Sequence, residues 1–441
     1  MLLEKTYLPV INFVYDRLKW MNENTRKAIL LICIVVETLS TYVYQCDEYF
    51  GFLFSASINT IIGIICLTGI IIAGIDSRIN EIKSRKWLIY ILMLCGIAVF
   101  VSGLHHYISY SYMLMGLSMC FMMPAVFIVW GDNAHMQQLF SMIAYVISVV
   151  FIIFVVMNFI AAPVNNPEFS IAGRYFGMAS DPNGLAKITV TAAICSIYLI
   201  ILHRGIRKIP FIIIFLTAAY LTMLTASRTN IIALILVCAV AVIFLIKCYV
   251  INRKYSVKKI IMCVCAVIAI VGVVGIGHNL LMKDGDDNIS TIEMRLSQGI
   301  MEDGSIDINT LSSGRITIWK YCLSKTSFMG NDVSEGLREE SLGMYHDHVH
   351  NTVIEFLYRS GIVAGISFLI IELYAVIWVF VQIFARRKNS LNEIMAAMLV
   401  IAFGVASVFD VVVLPFAKMT VFLFYISLTV VFAKKKKDNI V

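Results

Sequence analysis

The forty residues "FIIIFLTAAYLTMLTASRTNIIALILVCAVAVIFLIKCYV", positions 211–250, hold two apolar runs parted by Ser227, Arg228, Thr229 and Asn230. Each run is close to the roughly 20 residues a helix needs to cross the hydrocarbon of a bilayer. Similar runs recur along the whole chain, near 28–44, 52–75, 87–104, 109–130, 139–162, 185–203, 209–226, 230–250, 259–280, 362–384, 393–410 and 413–433. A chain of 441 residues that is 60% hydrophobic and 14% charged, with a mean hydropathy of +0.86, is far too apolar for an ordinary soluble globule. The expected fold is therefore an all-α, polytopic integral membrane protein of about twelve transmembrane helices.

Basic residues set the orientation, because Lys and Arg in short loops stay on the cytoplasmic side. Arg17, Lys19, Arg26 and Lys27 precede the first span, and Arg78, Lys83, Arg85 and Lys86 follow the second. Arg204, Arg207 and Lys208 follow the sixth span, Arg253, Lys254, Lys258 and Lys259 the eighth, Arg386, Arg387 and Lys388 the tenth, and "KKKK" at 434–437 the last. With twelve spans all of these lie on one side, and both termini are cytoplasmic. The loop "GDNAHMQQ" carries no Lys or Arg and is silent. A net charge of +7 distributed in this way is an insertion signal and an attraction to anionic head groups, with no nucleic-acid partner implied. The first 27 residues are polar and mixed and lack a signal-peptide cleavage pattern, so the first span is expected to stay as an anchor.

The implied organisation is a cytoplasmic segment 1–27, nine spans within 28–280, an extracytoplasmic loop 281–350, three spans within 351–433 and a basic tail 434–441. Only two outer segments are long, 163–184 and the loop between the ninth and tenth spans, and long ordered loops usually carry function. Within the larger loop, "SSGRITIWKYCLSK" places Ile316, Trp319, Cys322 and Leu323 on one stripe of an amphipathic helix, with Ser312 or Ser313 as its N-cap. Four arginines belong to this face: Arg174 in "GRYFGMASDPNG", Arg228 in "TASRTNIIAL", Arg315 at the start of the loop helix, and Arg359. An arginine at the lip of a bilayer is costly unless paired, and snorkelling or a local ion pair explains any single one. Four together suggest a phosphate-rich, membrane-embedded ligand, since guanidinium forks match phosphate oxygens.

"SRTNIIAL", then "GRITIWKYCL", then "HNTVIEFLYRSGIVAG" resemble the signature of the O-antigen ligase and O-antigen or capsular polysaccharide polymerase family, bacterial membrane glycosyltransferases with a long external loop. "GRYFGMASDPNGLA" resembles an upstream element of the same family, and the likeness covers roughly residues 165–375. One departure is Ala364, between Gly361 and Gly365, where relatives often carry a small or polar residue. The resemblance implies a bacterial cytoplasmic membrane enzyme that needs no metal or cofactor. It would transfer a glycan from a polyprenyl-pyrophosphate-linked oligosaccharide to a hydroxyl, releasing the lipid pyrophosphate. A chain-length regulator and a flippase of the same pathway are the further partners it implies. His350, matching the family's His-Asn pair, would be the base, oriented by Asn351, with Arg228 and Arg315 stabilising the leaving group and Arg174, Asn183 and Trp319 binding substrate. An imidazole with a pKa near about 6.5 suits that role. Polymerase and ligase share donor and leaving group, so the motifs do not separate them; the richness in Ile, Asn and Lys, which suits a low-GC bacterium without lipid A, favours a polymerase, with a ligase as its rival. A transporter or flippase would suit twelve spans equally, but it predicts repeat symmetry and midplane charges.

Other polar signals have plainer readings. His346, Asp347, His348 and His350 include zinc-type donors, but no second cluster offers a further ligand at diagnostic spacing, so His346 and His348 read as solvated loop residues. "DGDDN" at 284–288 begins like a calcium loop, but Ile289 and Arg295 stand where the glycine and the bidentate glutamate belong. Its Asp-x-Asp also occurs in nucleotide-sugar transferases, whose donor is cytoplasmic, so a solvated acidic face is the favoured reading. Glu37 sits mid-span, Asp410 and Lys418 are placed to pair with each other, and Cys46 and Cys322 lie outside the spans where a disulfide is possible.

Overall fold

The computed structural model describes residues 2–50, 55–106, 110–164, 166–171, 173–252, 307, 312, 314–331, 348–413 and 415–434. These residues form a helical bundle. Helix α1 (Leu2–Arg17) precedes α2 (Glu23–Gln45), α3 (Ala56–Gly74), α4 (Lys86–His105), α5 (Tyr110–Val129), α6 (Asn133–Ala161), α7 (Pro182–Leu202), α8 (Ile209–Leu224) and α9 (Arg228–Asn252). After them come α10 (Arg315–Ser324), α11 (Thr352–Ser360), α12 (Ile362–Phe384), α13 (Leu391–Phe409) and α14 (Met419–Phe432). A two-stranded hairpin, β1 (Ser170–Ile171) and β2 (Arg174–Tyr175), lies between α6 and α7 and pairs Ile171 with Arg174.

Ten of the described helices, α2 to α9 with α12 and α13, are long and apolar enough to cross a membrane. Their large exposed side chains are apolar, among them Ile65, Ile153, Ile235 and Phe380, as expected of surfaces that face lipid. The ninth expected span, near 259–280, lies outside the described residues, as does most of 281–350. The last span differs from expectation. In place of a helix over 413–433, the described residues between Asp410 and Lys418 are non-helical and α14 has 14 residues. Proline at 415 disfavours helical backbone at the residue before it, which opposes a helix starting at 413. Helix α14 is buried on all sides, which is why its sequence is apolar all round. An aromatic chain, Phe356 to Phe368 to Phe403 to Phe424, ties α11, α12, α13 and α14 together, ending in rings stacked at 3.7 Å.

Most of the polar and mixed segment 1–27 is helical, chiefly as α1. Leu3, Tyr7 and Ile11, spaced four apart, bury one face of this helix. Pro124 explains how α1 docks. Its missing N–H cannot bond to the carbonyl of Cys120, α5 widens into a π turn at Ser118–Met122, and that carbonyl accepts the Tyr7 hydroxyl. The neighbouring loops gather here too, with Asp16 bonded to Arg78, Glu4 to Lys86 and Lys83 to Asp132. Arg26 is buried and donates to the carbonyls of Leu18, Ile72 and Ile75, so a guanidinium closes the C-terminal end of α3.

Gly361 joins α11 to α12 with φ of +88°, and a Cβ there would strike the Phe328 carbonyl. Gly361→Ala is expected to destabilise the protein by about 1–3 kcal/mol through backbone strain and this collision. A lowered thermal midpoint of the detergent-solubilised protein checks it, and an unchanged midpoint would show that the joint can relax.

Candidate functional site

The four-residue break at 227–230 falls where the chain turns between α8 and α9: the turn itself is 225–227, and Arg228, Thr229 and Asn230 form the first turn of α9. Thr225 ends α8, Ala226 takes a left-handed φ of +45°, and Arg228 opens α9. Ala226 and His350 are the two non-glycine residues with positive φ among those described, and such strain is often retained where a site requires it. The turn is held by its own polar groups: the Ser227 hydroxyl donates to Asn183 Oδ1 at 2.8 Å and accepts from Asn230 Nδ2 at 2.9 Å. Asn183 sits in the first turn of α7. There "DPNG" acts as its chemistry predicts, with Asp181 capping the helix by accepting from the Asn183 and Gly184 amides and Pro182 at the first position.

Arg174 reaches across from β2, donating through Nε to the Thr225 carbonyl at 3.0 Å and through Nη2 to Asn183 Oδ1 at 2.9 Å. Arg315 arrives from α10 and donates to the Phe409 carbonyl at the end of α13. Together these groups line a cleft of about 520 Å³ bounded by Arg174, Asn183, Ser227, Arg228, Arg315 and Trp319, with Ile232, Ile316, Val408 and Phe409 as apolar walls. The first turns of three helices, α7, α9 and α10, meet there and bring the positive ends of their dipoles with three guanidiniums. Burial lowers the pKa of Arg315, an effect the Arg228 charge reinforces and Asp410 opposes. The cleft lies at the end of the bundle away from the basic loops. Helix α9 starts at the cleft and runs to Lys247, which bonds to Asn389 just before α13, and α13 runs back to the cleft.

His350 and Asn351 do not line the cleft, but their neighbours are bonded to residues that do. Trp319 Nε1 donates to the Val349 carbonyl at 3.0 Å, and Asn351 Nδ2 donates to the Val408 carbonyl at 3.1 Å. Asn351 also caps α11 by accepting from the Ile354 amide. Val349 is buried and gripped from the other side as well, its N–H donating to Glu355 Oε2 at 3.1 Å. Glu355 is fully buried and pairs with Arg359 at 2.7 Å and with His348 at 3.5 Å. Burial alone would raise this carboxyl, but the His348 hydrogen bond and the Arg359 charge outweigh it and hold the group below the usual carboxylate value.

Several expectations change on this geometry. Arg359, grouped by sequence with the other three arginines, belongs to the buried pair with Glu355 and does not line the cleft. Asp410 does not take Lys418 as its main partner. It forms an ion pair with Lys187 of α7, while Lys418 donates to the Val411 carbonyl at 3.2 Å. Burial would raise the Asp410 carboxyl, but the charges of Lys187 and Lys418 hold it well below the usual range. Lys418 is pushed down by burial and by the Lys187 charge. Lys187 and Asp410 line a water-sized space that shares Asn183, Arg315 and Phe409 with the cleft, so this cluster forms its floor. The signal for Lys187 was present in "NGLAKITV", a charge inside a span. Cys46 and Cys322 are buried free thiols. Glu37 is fully buried, and neither carboxyl oxygen has a hydrogen-bond partner among the described residues. His346, Asp347 and the 284–288 stretch lie outside the described residues.

Fold and site together define a multi-pass helical membrane protein with a strongly cationic cleft at one end of its bundle. No family model matches the chain, and no curated protein matches it either.

Proposed function

We propose that the protein is a bacterial membrane glycosyltransferase, a polysaccharide polymerase that uses a polyprenyl-diphosphate-linked glycan as donor and a lipid-linked repeat unit as acceptor. In this reading the cleft faces the outside of the cytoplasmic membrane. The observation that carries the proposal is the convergence of Arg174, Arg228 and Arg315 with the N-termini of three helices on one cleft with apolar walls.

The chemistry suits those groups. The bond between the anomeric carbon and the diphosphate oxygen breaks, the acceptor hydroxyl oxygen bonds to that carbon, and the hydroxyl proton leaves to a base. Negative charge accumulates on the departing diphosphate, so cations fixed in advance stabilise the transition state more than the bound donor. His350, in a left-handed turn between Val349, which accepts from Trp319, and Asn351, which donates to Val408, is the proposed proton acceptor. The apolar walls from Ile232, Ile316 and Val408 suit the start of an isoprenoid chain.

Reconstitution in liposomes with a lipid-linked repeat unit tests the proposal. Polymer should lengthen while free polyprenyl diphosphate appears in step with the bonds formed. Passage of intact donor across the bilayer without release would replace the reading with transport, and transfer to a different acceptor alone would make the protein a ligase.

A further inference from the structure

We infer that Trp319 is the platform on which the donor's first sugar lies, an inference that rests on the diphosphate reading of the cleft. Arg315 and Trp319 stand four residues apart on α10, on the same side and about 6 Å from each other along the helix. That separation is of the order of the step from a phosphate to the centre of the sugar ring it carries. A diphosphate held at Arg315 therefore sets its sugar against the indole. Both side chains line the cleft.

The indole is fixed. Its single polar atom, Nε1, donates to the Val349 carbonyl, and Val349 is itself held through its N–H by the buried Glu355. With that donor occupied, the ring offers the cleft an apolar surface, which matches the C–H face of a pyranose and tolerates different hydroxyl patterns. The Val349 bond also places the platform one residue from His350. Arg315 and Trp319 thus follow one another along the cleft wall, and the Trp319 bond reaches the residue that precedes His350 in the chain. Trp319 also packs against the small cluster of Ile318, Cys322, Val349 and Tyr358, so one part of the indole is anchored in protein while the side chain as a whole lines the cleft.

The test compares two soluble probes, citronellyl diphosphate and citronellyl diphospho-N-acetylglucosamine, by titration against the full-length protein in detergent. Their affinity ratio isolates the sugar. Trp319→Ala should lower the sugar-bearing probe's advantage by roughly 3- to 10-fold, the scale of an aromatic face contact, and leave citronellyl diphosphate binding within about twofold. Trp319→Phe, which keeps a ring and loses the Nε1 bond, should retain most of the advantage, which a purely structural role would not predict. An unchanged ratio in Trp319→Ala overturns the inference and leaves the diphosphate reading standing. Failure of the wild-type protein to bind either probe removes both.

Discussion

Arg315→Ala is expected to lower glycan transfer by about 10²- to 10³-fold with little change in thermal midpoint, the scale seen when one preorganised charge-stabilising donor is removed from a reacting centre. Arg315 is half-buried, it donates to a backbone carbonyl with no ion pair to an acidic residue among the described residues, and it opens its helix at the cleft. Its removal therefore leaves no buried charge unpaired. Arg315→Lys should recover only a small part of the rate, because an ammonium cannot reproduce the planar fork. Arg228→Ala and His350→Ala should behave alike, losing long glycan while the protein stays in the membrane. Arg359 supplies the contrast. Its partner Glu355 is fully buried, so Arg359→Ala removes the closest positive charge, leaves the carboxylate with His348 and the Val349 N–H, and should cost about 3 kcal/mol of stability. Transfer assays in liposomes, paired with melting curves, separate the two classes. If Arg315→Ala kept more than about a tenth of wild-type transfer, the cleft would not be where the leaving group's charge is stabilised.

How far the sequence could be read depends on what constrains each element. Lipid demands an unbroken apolar stretch of fixed length, so α2 to α9, α12 and α13 were legible from hydropathy alone, and the polar break at 227–230 marked the turn between α8 and α9. Arg174, Arg228 and Arg315 were legible as a group because each interrupts an otherwise apolar or turn-forming stretch. Arg359 looked the same in sequence, since nothing local distinguishes an arginine aimed at a ligand from one paired four residues back with Glu355. The Lys187 and Asp410 pair joins residues 223 positions apart, and helices that are apolar on every face give no periodic cue to which side meets which. Helix α14 was misjudged for a related reason. A run of valine, leucine and phenylalanine reads identically as helix or as extended chain threaded through a core, and only Pro415 argued against the longer helix. In α1 the Leu3, Tyr7 and Ile11 stripe was visible, but mixed composition concealed that it faces protein.

Asp410→Asn should be the most destabilising change in the floor of the cleft, costing about 3–5 kcal/mol. Two lysines, Lys187 and Lys418, converge on this one carboxylate, the first buried and the second half-buried. An amide in its place leaves two ammonium groups facing each other with only the more distant charge of Asp181 to offset them. Lys187→Met should cost less, because Lys418 is already close enough to take over Asp410, and Lys418→Met should cost least, since it removes a repulsion as well as an attraction. The double variant Asp410→Asn with Lys187→Met should be more stable than Asp410→Asn alone, a coupling that independent sites would not give. Acidity provides a second check. Because Lys187 and Lys418 hold the folded carboxyl well below its unfolded value of about 4, its contribution is fully present above that value and is lost as the pH falls toward the folded one. Wild-type melting points should therefore decline below about pH 4 more steeply than those of Asp410→Asn. The effect should extend to the cleft, since the backbone of residues 408 to 411 also receives Asn351, Arg315, Thr352 and Lys418 in turn. Loosening this helix end would shift Arg315 and the turn at His350 together, so the residual folded Asp410→Asn protein should show a lowered kcat with a smaller change in KM. Equal melting points for Asp410→Asn and wild type would mean the two lysines are not held by this carboxylate, and the cleft floor would have to be redrawn.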